Sequence, residues 1–352
     1  MSKDKYVGMD VDKATVVTRV MDKDGKNLSE ATIVLNGEAL KDYVRGIGGT
    51  VHLTFEEGTQ AAWLYDLLKP YVSELIVCDP RYNKRYGESK TDKLDARRLA
   101  DLLRTKSLKA VYHGEKSTKS LKELAQSYET IVSDSVRVMN RIKAIYRGRA
   151  ISCSGRSVYD GQKREQWLLQ LKEPGVRKRA ELLYRELDHL KELRRESKEA
   201  LIKESRKHKL VKLLLTVPGL GSVRAAEIMA IVAYPQRFGN KRQFWSYCGL
   251  SVREYSSGDQ EIKDGVIRKK KGKNTRGLIR CYNRQLKMIM KAATLEAIKR
   301  EPFKNVYQRL IDRGLRVEVA RVAVARKMAA IILTLMKRGE SFDPEHLIKE
   351  VA

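Results

Sequence analysis

The sequence predicts a mixed α/β domain at the N-terminus followed by two mainly helical regions, and three observations carry that prediction. Up to residue 112, short β-branched runs bounded by turn residues alternate with stretches of helical spacing. Strand signals vanish between 113 and 207, where Lys, Arg, Glu and Leu dominate. From 208 to 352 the pattern is again helical, with loops expected around 217–222 and 250–275. At 352 residues the chain is too long for one compact core, so 1–112, 113–207 and 208–352 are the expected domains.

The elements follow in order. "KYVGMDV" (5–11), "TVVTRVM" (15–21) and "EATIVLN" (30–36) predict a three-strand meander. "GEALKDYVRGI" (37–47) has helical spacing, "GTVHLTFEE" (49–57) reads as a strand, "TQAAWLYDLLKPY" (59–71) as a helix and "SELIVCDP" (73–80) as a strand. "KTDKLDARRLADLL" (90–103) closes the unit as an amphipathic helix. The order βββ-α-β-α-β-α implies a mixed sheet with helices on both faces. In the middle region Ala180, Leu183, Leu187 and Leu190 recur at 3-4-3 spacing, which suggests a helical hairpin or short coiled coil broken near Pro174-Gly175. The last strong helix, 316–339, sets Arg321, Arg326 and Lys327 beside a Val/Ala/Ile stripe and stops at Gly339, a good C-cap.

Composition narrows the partners. A net charge of +28 attracts a polyanion, nucleic acid first and an anionic membrane surface second. The longest apolar stretch, "MAAIILTLM" (328–336), is half the length a membrane span needs. The N-terminus lacks a signal-peptide apolar segment. Cys78, Cys153, Cys248 and Cys281 lie far apart with no CxxC pair, which fits reduced cytoplasmic thiols and argues against zinc. Any metal is therefore expected on oxygen ligands.

The acids sit at telling positions. Asp10 ends the first strand and Glu56 lies near the end of a later one. Asp92 and Asp95 share one helical turn, where two like charges slightly destabilise a helix. In this topology strand ends and that helix converge on one edge, and four carboxylates there repel unless cations neutralise them. Mg²⁺ or Mn²⁺ suits such a set and matches phosphate chemistry. Each acid alone also reads as an ordinary surface carboxylate. Asp12 and Glu57 compete with Asp10 and Glu56, and strand parity cannot choose between the two glutamates.

The C-terminal half is basic and marked by glycines. In "LLLTVPGLGSVRAAEIMAIV" (213–232), Gly219 and Gly221 would let backbone N–H groups approach a phosphate, a helix-hairpin-helix type of grip; the plain alternative is an interhelical turn. "VREYSSGDQ" (252–260) carries a Ser-Ser-Gly that alone reads as a turn. Downstream, "IRKKKGKNTRGLIR" (267–280), with Arg268, Lys269, Lys270, Lys271 and Lys273, suits a phosphate backbone. A serine beside that run is a candidate nucleophile if a metal site from elsewhere lowers its barrier.

Together these stretches resemble the IS110/IS1111 family of transposases, the recombinases of bacterial insertion sequences, over nearly the whole chain. "YVGMDVDK", "FEEGTQAAWLYDLL" and "KTDKLDARRLADLL" resemble the family's acidic blocks; "VPGLGSVRAAEIMA", "RFGNKRQFWSYCGLSVREYSSGD" and "ARVAVARKMAAII" resemble its C-terminal half. The paired-Asp helix and the "CGLSVREYSSG" block are the specific matches. The resemblance implies a RuvC-like, RNase H-fold domain whose Asp-Glu-Asp-Asp set binds Mg²⁺, here Asp10, Glu56, Asp92 and Asp95. It also implies a serine nucleophile at Ser256, with Ser257 as the fallback. It further implies a structured, element-encoded guide RNA pairing with donor and target DNA, and dimers and tetramers in which one subunit's acids meet another's serine. A bacterial cytoplasmic, nucleoid-associated location follows. One departure stands out: the family's "GRISKRGN"-like segment is replaced by "GVIRKKKGKNTRGLIR", so DNA contacts there do not transfer residue by residue.

The expected protein is thus a DNA recombinase working through a phosphoserine link. Its acids would lie in 1–112, RNA binding and assembly in 113–207, and the serine and DNA contacts in 208–352. The rivals are a Holliday-junction-resolvase type of nuclease using water, and a non-catalytic nucleic-acid-binding protein.

Overall fold

The computed structural model describes residues 4–83, 91–113, 118–254, 260–263, 266–269 and 275–345. The chain divides into two compact units, Met1–Gly114 and Glu115–Ala352.

The first unit is built on a six-stranded sheet. β1 (Asp4–Val11), β2 (Thr15–Met21) and β3 (Asn27–Val34) form the expected antiparallel meander. α1 (Gly37–Ile47), β4 (Thr50–Glu56), α2 (Ala61–Leu68), β5 (Glu74–Cys78) and α3 (Asp92–Arg104) follow, and the two-residue β6 (Ala110–Val111) closes the edge. The spatial order is β3-β2-β1-β4-β5-β6. β4 runs parallel to both β1 and β5, and β6 antiparallel to β5.

Period-2 alternation divides the sheet's two faces. Val7, Met9, Val16, Val20, Leu53, Phe55, Leu75 and Val77 point one way and bury against Leu40 and Val44 of α1 and Ala61, Leu64 and Leu68 of α2. The Asn36 side chain starts α1 by accepting from the backbone N–H groups of Glu38 and Ala39. The other face receives α3, whose Ala96 and Ala100 approach β1 so closely that only glycine fits at position 8. A Cβ on Gly8 would lie 2.1 Å from the Ala96 carbonyl oxygen and 2.4 Å from the Ala100 nitrogen.

The second unit is mainly helical. α4 (Lys119–Arg147) is followed by the short α5 (Arg164–Leu169) and by α6 (Pro174–Ser205), which opens on the proline at its first turn. α4 and α6 pair antiparallel: Tyr146 meets Tyr184 (Oη to Oη 3.1 Å), Arg141 meets Glu186, and Tyr128 meets Arg194. Ala180, Tyr184 and Leu187 of α6 are buried in this hairpin, while Leu183 and Leu190 pack at its rim. The main core joins the start of α4 and the end of α6 to α7 (Lys209–Leu214), α8 (Ser222–Val232), α9 (Lys241–Tyr247), α10 (Arg284–Ala297), α11 (Phe303–Asp312) and α12 (Val317–Arg338). α12 ends at Gly339 in the left-handed region, as the sequence predicts.

The stretch expected as a loop at 250–275 differs. It contains β7 (Val252–Glu254), β8 (Gln260–Lys263), β9 (Val266–Lys269) and β10 (Thr275–Leu278). β7 pairs with β10 and β8 with β9, both antiparallel. Strands this short and this charged fall below the alternation signal, although Asp264-Gly265 is a recognised hairpin pair.

Candidate active site

Strand parity and register bring the first two acids together. Gly8 faces α3, so Asp10, two residues on, lies on the same face of β1. β1 and β4 run in parallel register through Gly8↔Thr54 and Met9↔Phe55, which sets Glu56 beside Asp10 on that face, and Glu56 pairs in turn with Cys78 of β5. Both acids are half-buried. α3 runs antiparallel to β1: Ala96 and Ala100 bracket Gly8, and Arg104 at the helix end reaches the Lys23 carbonyl in the turn after β2. Its first turn, with exposed Asp92 and half-buried Asp95, therefore lies at the Asp10 end of the sheet. Thr91 caps that turn by accepting from the Leu94 N–H. First-turn acids favour the helix dipole, which offsets the repulsion their spacing creates.

The competing acids have other places. Asp12 is exposed in the β1–β2 turn, where its backbone N–H bonds Thr15 O. Glu57 pairs with His113 (Oε2 to Nε2 2.6 Å), whose ring stacks on Tyr65. The four acids share one end of the sheet. Even so, among the described residues no three Asp, Glu, His or Cys side chains close into a metal-holding group.

One contact at this edge was not readable from the sequence. Asn83, only 6% exposed, donates from Nδ2 to Glu56 Oε1 (3.0 Å) and to Cys78 Sγ (3.1 Å). It sits behind a single 3₁₀ turn, Pro80–Tyr82, whose N-cap Asp79 accepts from the Arg81 N–H. Arg81 Nε also bonds both carboxylate oxygens of Asp79, at 2.9 and 3.1 Å, and its guanidinium holds that carboxyl below the usual range. Burial pushes the Cys78 thiol up, so it stays protonated and donates to Phe55 O.

In the second unit Ser256 and Ser257 fall between β7 and β8, outside the described residues, as do Lys270, Lys271 and Lys273. Arg268 and Lys269 lie on β9. The base of this segment is firmly held. Arg326 of α12 donates from Nε to Leu250 O (2.7 Å), and Trp245 returns a bond from Nε1 to Arg326 O (2.8 Å). Ser246 Oγ donates to Ser251 Oγ, and the Ile279 N–H to Ser251 O. Arg326 thus anchors the chain just ahead of β7, the strand that leads into the serines. Gly219 and Gly221 behave differently from each other. Gly219, at φ +90°, packs where a Cβ would lie 2.4 Å from Ala293 O on α10, whereas Gly221 precedes α8 and faces open space.

The DEDD transposase model of the IS110 group matches residues 7–148, and that of the IS116/IS110/IS902 transposase family matches 211–308. The chain belongs to the IS110/IS1111 family of transposases. It is 24% identical over 272 residues to the transposase for insertion sequence element IS1111A of Coxiella burnetii, covering 75% of this chain and 71% of that relative. As an insertion-sequence transposase it recombines DNA, and its +28 charge has the sign that substrate requires. The mixed sheet followed by helices is compatible with a DEDD transposase domain, a type that suggests divalent-metal use. Among the described residues no helix is long and apolar enough to cross a membrane.

Proposed function

We propose that this transposase cuts and rejoins DNA through a covalent phosphoserine intermediate, using a RuvC-like, RNase H-fold acidic site in the first unit. Ser256 is the nucleophile, and Asp10, Glu56, Asp92 and Asp95 are the metal ligands. The observation that carries the reading is the shared face and end of Asp10, Glu56 and the first turn of α3. All four donors are hard carboxylate oxygens, and the partner found for Glu56 is a neutral amide, so the set suits Mg²⁺ or Mn²⁺. Such an ion, when bound, neutralises charge at the reacting phosphate.

The chain's own residues do the rest. Ser256 Oγ loses its proton and forms a bond to phosphorus; the P–O3′ bond breaks, and the departing oxygen takes a proton to become a 3′-OH. Attack by a 3′-OH on the phosphoserine reverses these changes and joins a new strand without an external energy source, because the ester conserves the bond energy. The basic segment around Arg268 to Lys273 and the open Gly221 turn, in helix-hairpin-helix manner, grip the DNA backbone. Residues 113–207 bind an element-encoded guide RNA and support assembly into dimers or tetramers.

The test uses full-length protein, its co-purified RNA and DNA carrying the element's ends. Ser256→Ala should abolish the covalent protein–DNA adduct while leaving Mn²⁺ binding intact. Asp10→Asn should lose both. If Ser256→Ala and Ser257→Ala both continue to cleave, water is the nucleophile and the protein is a resolvase-like nuclease. Sequencing the co-purified RNA tests the guide: one structured species encoded beside the gene supports it, and a mixture of unrelated RNAs removes it.

A further inference from the structure

We propose that Asn83 is a positioning residue that holds the Glu56 carboxylate in its metal-binding orientation, an assignment that rests on the reading of Glu56 as a ligand. Glu56 is the last residue of β4, where the ladder ends and no further strand pairing restrains its side chain. A carboxylate at such an end rotates among several rotamers unless something outside the strand fixes it. Asn83 supplies that restraint from a separate segment, 27 positions along the chain, through its 3.0 Å bond to Oε1.

The chemistry of the amide matters. The Cys78 S–H is directed at Phe55 O, so its sulfur faces Asn83 as an acceptor, and the ionised carboxylate is also only an acceptor. The atom between them must therefore be the amide nitrogen, with one N–H for each. Both donors are used, and the side chain is locked from two sides. Its backbone is fixed as well, because the Asn83 N–H closes the 3₁₀ turn on Pro80 O and the turn is pinned by Asp79 and Arg81.

A lysine or arginine in the same place would orient Glu56 equally well, but its positive charge would compete with a cation. A neutral donor orients the carboxylate and leaves its full charge for the metal. The bond engages Oε1 and leaves the lone pairs of Oε2 for donation. The guanidinium of Arg81, within this turn, pairs with Asp79.

Mn²⁺ titration of the full-length protein, followed by electron paramagnetic resonance of the free ion, tests this. Asn83→Ala and the near-isosteric Asn83→Leu should each weaken Mn²⁺ binding by about 10- to 100-fold. Strand cleavage should recover as Mn²⁺ is raised, because the ligands themselves remain. The deciding measurement is a double-mutant cycle with Glu56→Gln. If Asn83 acts through Glu56, adding Asn83→Ala to Glu56→Gln changes the Mn²⁺ affinity no further. If both Asn83 variants melt at lower temperature yet bind Mn²⁺ as the parent does, Asn83 only caps its turn and the inference is overturned. If Glu56→Gln itself leaves Mn²⁺ binding unchanged, the ligand assignment fails first and the positioning role falls with it.

Discussion

At the scale of single residues, burial changes chemistry most at Glu227. It sits on α8 in the core of the second unit, 9% exposed. Burial, and after it the nearby Glu129 carboxylate of α4, pushes its carboxyl up to about 7; the Gln285 amide and the Arg224 guanidinium offset this only in part. Above about pH 5 an unfolded chain holds no proton here, whereas the folded chain keeps one up to about pH 7, so stability falls as pH rises through that window. The cost at pH 8 is on the order of 3 kcal/mol. Glu227→Gln should therefore raise the melting temperature at pH 8, and the gain should shrink towards zero near pH 5. An equal gain at both pH values would show that the carboxyl does not titrate in this range. The sequence does not mark this residue, since "RAAEIMA" reads as a helix with one ordinary polar position. Asn83 was illegible for the same reason: its partners Glu56 and Cys78 come from strands whose approach depends on the finished sheet. Asp10, Asp92 and Asp95 stood out because strand ends and i, i+3 spacing are local patterns.

Between elements, the closest approach in the first unit is α3 on β1, and it depends on Gly8. A methyl group there collides with backbone atoms of Ala96 and Ala100, which cannot rotate away as a side chain can. Gly8→Ala should lift the helix and cost about 3 kcal/mol of stability, measured by chemical denaturation. It should also weaken Mn²⁺ binding if the first turn of α3 carries two ligands. Unchanged stability would mean that α3 shifts freely on the sheet, which its buried Leu99 and Leu103 argue against. The order of elements in this unit was readable because the strands alternate with period two and the stretches between them switch to helical spacing. What was not readable were pairings made at a distance. β7 finds β10 some twenty residues away, and neither strand alternates long enough to announce itself. Arg326 showed as a basic residue on an apolar helix, but its bond to Leu250 O joins elements 76 positions apart.

For the molecule as a whole, the acids proposed as metal ligands belong to one compact unit and the segment with the proposed serine to the other, so neither unit carries both halves of the proposed chemistry. A chain organised in this way can complete a site within itself or across copies, and the proposed assembly takes the second course. The distinction has a kinetic signature. In a dimer with shared sites, pairing an Asp10→Asn subunit with a Ser256→Ala subunit brings one intact acid set to one intact serine and places both defects in the other site. Dimers of either variant alone have no intact site. Equal amounts, allowed to exchange, should therefore restore adduct formation to about a quarter of the parent level, since half of the dimers are mixed and each has one working site. If each subunit instead serves its own serine, every site in the mixture carries one defect and no adduct forms. Mixing Asp10→Asn with Glu56→Gln provides the contrast: both defects lie in the acid set, so no arrangement of subunits restores activity, and any recovery there would trace to residual parent protein rather than to shared sites.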